Sequence, residues 1–288
     1  MKAAKVTDKK QLALIANSIR QDIVKMLCES KSGHPGGSLG MTDIFTALYF
    51  SIMTHDPKNP LWSDRDRFVL SNGHICPVLY ATLAEAGYFP KDELMTLRKM
   101  GSRLQGHPHR GTLPGIETSS GPLGQGLSQA VGMAIVGKAE NKSWRVYAAL
   151  SDGEHNEGQT WEAILLAAKY KLDNLVAIID RNKIQIDGNT ENILPLEPFA
   201  DKYRAFGWNV IEIDGHDFEQ ILKAYARANA NESKGKPTVI IANTVPGKHV
   251  SFMENLFEWH GKSPSKEQTD KAIDELQVIR KQIEEGKI

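Results

Sequence analysis

The hydrophobic pattern of the chain changes repeatedly between the spacing of amphipathic helices and the continuous apolar runs of buried strands. Over residues 11–29 the apolar side chains fall on one stripe and predict a helix, at Leu12, Ile15, Ile19, Ile23 and Met26. Short apolar runs indicate five strands, at 67–70, 145–150, 174–179, 208–213 and 238–242. Further helices are expected between the second and third strands and at 42–51, 77–87, 91–100, from 120–126 to about 140, 197–206, 217–232 and 265–286.

This order of elements predicts an α/β fold. Strands that alternate with helices form parallel sheets, because right-handed helical crossovers return the chain to the same edge. We therefore expect a parallel sheet flanked by helices. No repeat, low-complexity tract or linker divides residues 1–288, so one domain with a C-terminal helix is the simplest organisation. Residues 56–66 and 101–121 are expected to be irregular, and a loop as long as the second is usually functional or disordered.

Composition and charge exclude several classes of protein. The 35 basic and 35 acidic residues cancel, so no overall charge attracts nucleic acid or a membrane surface. No apolar run reaches the roughly 18 residues of a membrane span, and residues 1–10 lack the apolar core of a secretory signal. Cys28 and Cys76 have no CxxC or metal-ligand spacing. They could in principle pair, but we expect free thiols in a soluble, cytoplasmic protein.

Two polar residues follow neighbouring predicted strands. Asp152 comes just after the strand at 145–150, and Asn182 comes just after the strand at 174–179. The carboxyl ends of parallel strands are where open α/β sheets bind ligands. A carboxylate, an amide oxygen and loop carbonyls suit Mg²⁺ or Ca²⁺, and Mg²⁺ usually completes its octahedron with substrate phosphates and water. The pair therefore indicates a metal–diphosphate site.

Four histidines lie in loops rich in glycine or proline: His34, His74, His107 and His260. A single histidine in such a loop is more often an ordinary surface or core residue. Four of them on a sheet with a metal–diphosphate site favour a polar cleft, in which histidines bind sugar hydroxyls and move protons near neutral pH. A zinc site is disfavoured, because no pair has H-x₃₋₅-H or HExxH spacing.

The segment 120–126 is a candidate anion site. Its glycines and proline open a helix whose first N–H groups are available to an anion. Gly121, Gly124 and Gly126 do not match G-x-G-x-x-G, and no strand directly precedes them. The chain also has no GxxxxGK[ST] loop. The pattern therefore argues against NAD and nucleoside triphosphates.

Taken together, these motifs resemble a known family. Asp152-Gly153 followed by Asn182 is similar to the thiamine-diphosphate signature GDG, a long spacer, then N. The Ser-Gly-His-Pro-Gly, Ser-Asn-Gly-His, Gly-His-Pro, Gly-Pro-Leu-Gly-Gln-Gly and His-Gly motifs that begin at 32, 71, 106, 121 and 260 resemble those of transketolases, in the same order. The match covers most of residues 10–265. The chain looks like the N-terminal, diphosphate-binding half of a transketolase that is encoded as a separate subunit.

The resemblance implies roles for individual residues. Asp152, the side chain of Asn182 and the carbonyl of Ile184 would hold Mg²⁺, for which Ca²⁺ could substitute. Contacts to thiamine diphosphate would come from His74, Gly121, Pro122, Leu123, Gly153, Asn182 and His260. His34, His107 and His260 would line the donor channel and share proton transfer. Glu157 resembles a glutamate that links paired active sites through buried acidic contacts.

The resemblance also implies a reaction and a partner. A transketolase is a transferase of carbohydrate metabolism that moves a two-carbon ketol unit from a ketose (phosphate) donor to an aldose acceptor. Transketolases carry a second domain, which supplies the glutamate that activates the cofactor. The resemblance therefore implies a separate C-terminal subunit, an α₂β₂ heterotetramer, sugar-phosphate substrates, and no activity without the partner. The sequence does not choose between the pentose phosphate pathway and a specialised sugar catabolism.

The chain departs from the family pattern at two positions. Ser151 replaces the first glycine of GDG, and His249 stands where related split subunits commonly have glycine. The first change adds a hydroxymethyl group where the backbone approaches the phosphate and is expected to be tolerated. The second is expected to reshape the loop that leads to His260.

Two kinds of alternative are considered. Another thiamine-diphosphate enzyme subunit is one: the alpha subunit of a 2-oxo-acid dehydrogenase lacks the Ser-Gly-His-Pro and Asn-Gly-His motifs, and the loops of deoxyxylulose-phosphate synthase fit less well. A non-catalytic paralogue that binds a partner or ligand without turnover is the other.

Overall fold

A parallel five-stranded sheet forms the centre of the protein in the computed structural model, which describes residues 5–230 and 234–288. Its strands are β1 (Arg67–Leu70), β2 (Val146–Ser151), β3 (Leu175–Arg181), β6 (Asn209–Asp214) and β7 (Thr238–Asn243). Their order is β1-β2-β3-β7-β6, and every neighbouring pair is parallel. Two short strands, β4 (Ile184–Gln185) and β5 (Gly188–Asn189), form a separate antiparallel hairpin. The predicted α/β class and the five predicted strands are confirmed.

The helices that surround the sheet are α1 (Lys9–Ser30), α2 (Pro35–Gly40), α3 (Thr42–Ala47), α4 (Cys76–Glu85), α5 (Gly126–Ala139), α6 (Gly158–Lys169), α7 (Thr190–Ile193), α8 (Phe199–Ala205), α9 (Phe218–Asn229) and α10 (Lys266–Glu284). Side chains satisfy the first N–H groups of several helices. Asp8 caps α1, Asp217 caps α9, and Ser265 forms a capping box with Gln268 at the start of α10.

The two faces of the sheet carry separate hydrophobic layers. Along β2, Tyr147 and Ala149 pack with α1, α3, α4, α9 and α10, whereas Val146, Ala148 and Leu150 pack with α5, α6 and α8. Successive side chains of a strand point to opposite faces, so both faces of β2 are buried, as is usual in parallel sheets. Because helices cover both faces, polar chemistry is left to the ends of the strands.

Four helix predictions differ from the structure. The predicted helix at 42–51 is α3 followed by a π-helical turn, Leu48–Ile52, and that at 91–100 is a 3₁₀ segment, Lys91–Thr96. The helix expected to open within 120–126 begins only at Gly126, because φ is +147° at Gly121 and +81° at Gly124. Helix α9 ends at Asn229, and residues 231–232 of the prediction lie outside the described residues.

The helix α2 was missed altogether. Three of its six residues are glycines, which favour helices poorly, yet all six residues are buried. Tertiary packing therefore overrides local propensity here.

The long segment 101–121 is irregular, as predicted, and α4 anchors it. The hydroxyl of Tyr80 donates to the carbonyl of Gln105 at 2.8 Å, and the thiol of Cys76 donates to the carbonyl of Gly106 at 3.2 Å. Both Cys28 and Cys76 are free. Within the two described ranges, no helix is long and apolar enough to cross a membrane.

Candidate active site

The carboxyl ends of β2 and β3 open into a cavity of about 360 Å³. Nine of the twelve predicted site residues line it: His34, His74, His107, Gly121, Leu123, Gly153, Asn182, Ile184 and His260. A neighbouring cavity of about 640 Å³ lies over the ends of β6 and β7 and shares only Asn182 and Ile184 with that set. The smaller cavity is therefore the candidate site, because it gathers the predicted chemistry.

Three of the histidines form a compact cluster. The ring centroid of His34 lies 5.1 Å from that of His74 and 5.6 Å from that of His260, and the rings of His74 and His260 are 5.3 Å apart. His34 is the N-cap of α2, His74 lies in a 3₁₀ turn after β1, and His260 follows a 3₁₀ turn after β7. Segments that are far apart in the chain thus meet at one place.

The fourth histidine faces the cluster from the segment 101–121. A methyl group added at Gly121 would lie 3.6 Å from Cγ of His107. The loop 120–126 that precedes α5 is therefore in direct contact with His107.

All four histidines are neutral near pH 7. Burial lowers the pKa of His34 to about 4, with further repulsion from His260, Arg98 and His107. Burial also lowers the pKa of His74 well below its usual value, and it lowers the pKa of His107 and of His260. A neutral imidazole offers one donor and one acceptor, so each ring is able to bind a hydroxyl or receive a proton.

Asp152 directly follows β2, is fully buried and does not itself line the cavity. Its Oδ1 accepts from the N–H of Gly153 at 2.7 Å. Its Oδ2 accepts from the N–H of Lys183 at 2.7 Å and from the guanidinium of Arg181 at 3.0 Å. Burial raises the pKa of this carboxyl, and the Arg181 charge opposes that effect.

The loop after β3 orients Asn182. Its Oδ1 accepts from the N–H of Ile184 at 3.0 Å, and its Nδ2 donates to Asp180 at 2.8 Å. Asp180 is itself buried beside Asp152, and burial raises its pKa to about 7 against a hydrogen bond from Thr244. No group of three His, Cys, Asp or Glu side chains suited to a metal occurs in the described part of the chain.

The structure adds functional residues that the sequence analysis missed. Glu154 is fully buried and accepts from the hydroxyl of Ser71, from the N–H of Gly124 at 2.7 Å and from the N–H of Ser151 at 3.1 Å. Ser71 in turn accepts from the N–H of Gly126 at 3.0 Å. Glu154 therefore ties the loop 120–126 to the ends of β1 and β2. An acidic residue directly after Asp152-Gly153, at the end of a buried strand, was the available signal.

Arg181 is the second missed residue. Its side chain is only 3% exposed and contacts three carboxylates, those of Asp152, Glu191 and Glu197, at 2.8–3.0 Å. It connects the loop after β3 to the segment around α7. Its place between Asp180 and Asn182 could have pointed to this role, but its partners could not be read from the sequence.

The other predicted positions lie around the cavity. Pro122 is exposed beside the lining residues Gly121 and Leu123. Glu157 is exposed at the N-cap of α6, where it packs on Gly124 rather than lining the cavity. Ser151, the first departure from the family pattern, lines the cavity as the last residue of β2.

His249, the second departure, lies in a different cavity with Arg20, Asp43 and His216. Its φ of +70° is the left-handed conformation that glycine adopts most readily, and burial lowers its pKa to about 3.

Comparison with known proteins identifies the family to which this chain belongs. The family model described as the transketolase, thiamine diphosphate binding domain matches residues 11–279. The 6-deoxy-6-sulfo-D-fructose transketolase subunit of a Clostridium species is 44% identical over 262 residues, which are 91% of this chain and 94% of that protein. An apulose-4-phosphate transketolase subunit from Phocaeicola vulgatus is 42% identical over 265 residues, 92% of this chain and 93% of that protein.

Solved structures give the same result for the fold. The transketolase from Campylobacter jejuni superposes with a TM-score of 0.87 at 34% identity and covers 96% of this chain but 46% of its own. The chain thus spans about half the length of the solved transketolases that it matches. The predicted resemblance, the fold and the assignment to a transketolase subunit are confirmed, and the matches favour transketolase over the other two thiamine-diphosphate enzymes considered. The chain belongs to the transketolase family, of which it comprises the N-terminal, thiamine-diphosphate-binding part.

Proposed function

We propose that this chain is the N-terminal subunit of a two-subunit, cytoplasmic transketolase and that residues 1–288 form one domain binding thiamine diphosphate and Mg²⁺. The assembled enzyme transfers a two-carbon ketol unit from a ketose (phosphate) donor to an aldose acceptor. One observation carries the proposal: three partly buried, neutral histidines converge, with ring centroids 5.1–5.6 Å apart, on the sheet edge that bears Asp152 and Asn182.

The oxygen ligands at this edge fit Mg²⁺. Oδ1 of Asp152 and Oδ1 of Asn182 each accept one hydrogen bond from the surrounding backbone. A carboxylate or amide oxygen is able to accept two, so both keep capacity for a cation. With the main-chain oxygen of Ile184 they form a small set of hard ligands, which is typical of Mg²⁺ on a diphosphate. Ca²⁺ shares this preference and is the expected substitute.

The cavity also fits a polar cofactor. Buried polar atoms without a hydrogen-bond partner among the described residues include Nδ1 of His34, Nε2 of Gln185 and Oγ of Ser120. Such atoms are rare in folded proteins unless a ligand or water satisfies them. His34 and Gln185 line the cavity, and Ser120 directly precedes Gly121. We assign the cofactor contacts to His74, Gly121, Pro122, Leu123, Gly153, Asn182 and His260.

When bound, thiamine diphosphate supplies a nucleophilic carbon and an electron sink for cleavage of the donor's carbon–carbon bond. His34, His107 and His260 then act on the sugar. Each neutral ring binds a donor hydroxyl or accepts its proton, and burial keeps the rings neutral over the physiological range. Partial burial of His34 and His260 also limits access of water to the reacting carbons.

The partner assignment rests on the relatives. The chain covers nearly the whole of two proteins named as transketolase subunits and less than half of a solved transketolase. We infer that a separate C-terminal subunit supplies the rest of the site, in an α₂β₂ assembly acting on sugar phosphates. Glu157, exposed beside Gly124, is the residue that we assign to the contact between paired sites.

Calorimetric titration of thiamine diphosphate with Mg²⁺ tests the proposal. The chain is titrated alone and with the candidate C-terminal subunit, and we expect tight binding only in the mixture. Asp152→Ala should abolish binding because it removes the only carboxylate among the three assigned ligands. Asp274→Ala, an exposed position on α10, is the matched control and should bind as the unmodified chain does.

Two results would contradict the proposal. Absence of binding in both titrations, with folded protein and a demonstrated complex, would remove the cofactor assignment and favour a non-catalytic paralogue. Full turnover by the isolated chain would remove the partner assignment. Screening ketose donors with the assembled enzyme follows once binding is established.

A further inference from the structure

A buried charged network lies outside the active-site cavity and connects α1 and α3 to the loop after β7. Arg20 donates two hydrogen bonds to Asp43, at 2.9 and 2.6 Å, and the two side chains are 2% and 5% exposed. His216, between β6 and α9, hydrogen-bonds through Nδ1 to Asp43 at 2.9 Å. The backbone N–H of Val245 donates to Nε2 of His216 at 2.8 Å. Nε2 is therefore the acceptor nitrogen and Nδ1 carries the proton.

The network fixes the orientation of the His216 ring. Burial would raise the pKa of Asp43, but Arg20 and His216 together hold it well below its usual range. The carboxylate is thus charged, and the two-pronged contact with Arg20 permits one geometry. Because Asp43 is fixed and accepts the hydrogen bond from Nδ1–H, the ring points Nε2 at Val245. A ring held on one side by a carboxylate presents its other nitrogen in a defined direction, as metal-binding histidines do.

The loop that Val245 begins packs directly on α2. The N–H of Gly247 donates to the carbonyl of Gly36 at 2.9 Å. A methyl group added at Gly40 would lie 3.0 Å from the carbonyl oxygen of Val245, and one at Gly36 would lie 3.1 Å from that of Trp259. Gly36 and Gly40 are one helical turn apart, so α2 presents a bare face that lets two backbone segments approach closely.

This packing sets the distance between two histidines of the site. His34 is the N-cap of α2, and His260 directly follows Trp259, which the face of α2 contacts. Their ring centroids lie 5.6 Å apart. A shift of Val245 would therefore move α2 relative to the segment that carries His260.

We propose that His216 is a positioning residue for His34 and His260. It holds the N–H of Val245, and through it the loop after β7 on the glycine face of α2. His216 lines the neighbouring cavity and is not among the residues that line the active-site cavity. It acts through the backbone and needs no contact with donor or cofactor. The kinetic part of this inference rests on the proposed function.

Substitutions of His216 separate its two hydrogen bonds from its bulk. The amide of His216→Gln is able to donate to Asp43 and accept from Val245, whereas His216→Ala can do neither. In ¹H–¹⁵N spectra of the folded chain, the imidazole signals of His34 and His260 should shift in the alanine variant and return in the glutamine variant. Where the alanine variant does not fold, His216→Phe keeps the volume of the ring without the hydrogen bonds and is used instead.

The assembled enzyme gives the kinetic readout. Donor kcat/KM should fall about tenfold in the alanine variant, because displacements of about 1 Å cost up to 100-fold in rate. The affinity for thiamine diphosphate with Mg²⁺ should fall much less than kcat/KM, because Asp152 and Asn182 hold the cation from other loops and His260 is one of seven assigned cofactor contacts. His216→Gln should recover most of kcat/KM. Leu222→Ala, which removes packing from α9, should lower thermal stability without moving the two histidine signals.

Three outcomes would overturn the inference. Unchanged His34 and His260 signals in the variants without hydrogen bonds would leave His216 a structural residue. A loss of cofactor affinity as large as the loss of kcat/KM would place its action on the cofactor site instead. An equal effect of Leu222→Ala would reduce the role to general stability. Failure of the unmodified complex to bind cofactor would refute the proposed function, and the spectra would still decide the positioning role.

Discussion

Replacing Arg181 with methionine should destabilise the protein, because it would leave a fully buried carboxylate of the site without its cation. Asp152 has no exposed surface, and its Oδ2 lies 3.0 Å from the Arg181 guanidinium. Breaking a buried ion pair by removing one partner typically costs about 3–5 kcal/mol. The contacts to Glu191 and Glu197 add little, because those side chains are 31% and 58% exposed.

That cost translates into a measurable shift of the thermal midpoint. Unfolding entropy is about 2.1 cal/mol/K per residue, so this chain should lose roughly 5–8 °C. Arg204→Met is the matched control: Arg204 also contacts two carboxylates, Asp201 at 2.6 Å and Glu212 at 3.0 Å, but it is half exposed. Its substitution should leave the midpoint nearly unchanged. Scanning calorimetry at one pH gives both values.

Magnesium provides an independent readout of the same charge. A cation on Asp152 would replace the lost guanidinium charge, so Mg²⁺ should raise the midpoint of Arg181→Met more than that of the unmodified chain. If Arg181→Met and Arg204→Met lowered the midpoint equally, the guanidinium would not be compensating Asp152, and the account of this site would be wrong.

Three further predictions concern the site and its surroundings. Gly36→Ala would place a methyl group 3.1 Å from the Trp259 carbonyl, so it should lower donor kcat/KM more than it lowers cofactor affinity; Gly132→Ala, with open space around it, should change neither. Glu154→Leu should lower the free energy of unfolding by at least about 2 kcal/mol and weaken cofactor binding in calorimetry, because three buried donors lose their acceptor. Burial lowers the pKa of both His34 and His155 from 6.5 to about 4. Between pH 4 and pH 6.5 the unfolded chain therefore binds more protons than the folded chain. The free energy of unfolding should fall by about 1–2 kcal/mol per histidine from pH 7.5 to pH 5. Denaturant titrations at both pH values measure this change in the free energy of unfolding. His155→Phe should reduce the change by about the contribution of one histidine. An unreduced change in His155→Phe would contradict the lowered pKa of His155.

The sheet and its functional edge could be predicted because their signals are local. Each strand is a short apolar run that ends in polar residues, and parallel strands bring their carboxyl ends to one edge. Asp152 and Asn182 follow from that rule alone. The order of the strands in the sheet is not a local property, and neither is the pairing of β3 with β7 rather than with β6.

The parts that could not be predicted depend on contacts between distant segments. Helix α2 forms despite three glycines because all six of its residues are buried, with Gly36 and Gly40 against backbone of the loop after β7. Glu154 and Arg181 are polar residues in loops, which the sequence does not distinguish from solvated ones. Their importance comes from partners 83 residues away at Ser71 and 29 residues away at Asp152.

The site keeps its charged side chains apart from the neutral histidines to which we assign proton transfer. Asp152, Asp180, Arg181 and Glu154 lie at or just beyond the ends of β2 and β3, where their charges are paired or hydrogen-bonded. The histidines come from the surrounding loops and helix starts and are kept neutral by burial. Protonated rings at the same places would attract the diphosphate or the phosphate of a substrate and could no longer accept a proton. Under the proposed function, partial burial of the histidine cluster would serve catalysis in two ways: it would keep the bases free, and it would leave anion binding to the proposed Mg²⁺ and to backbone N–H groups at the sheet edge.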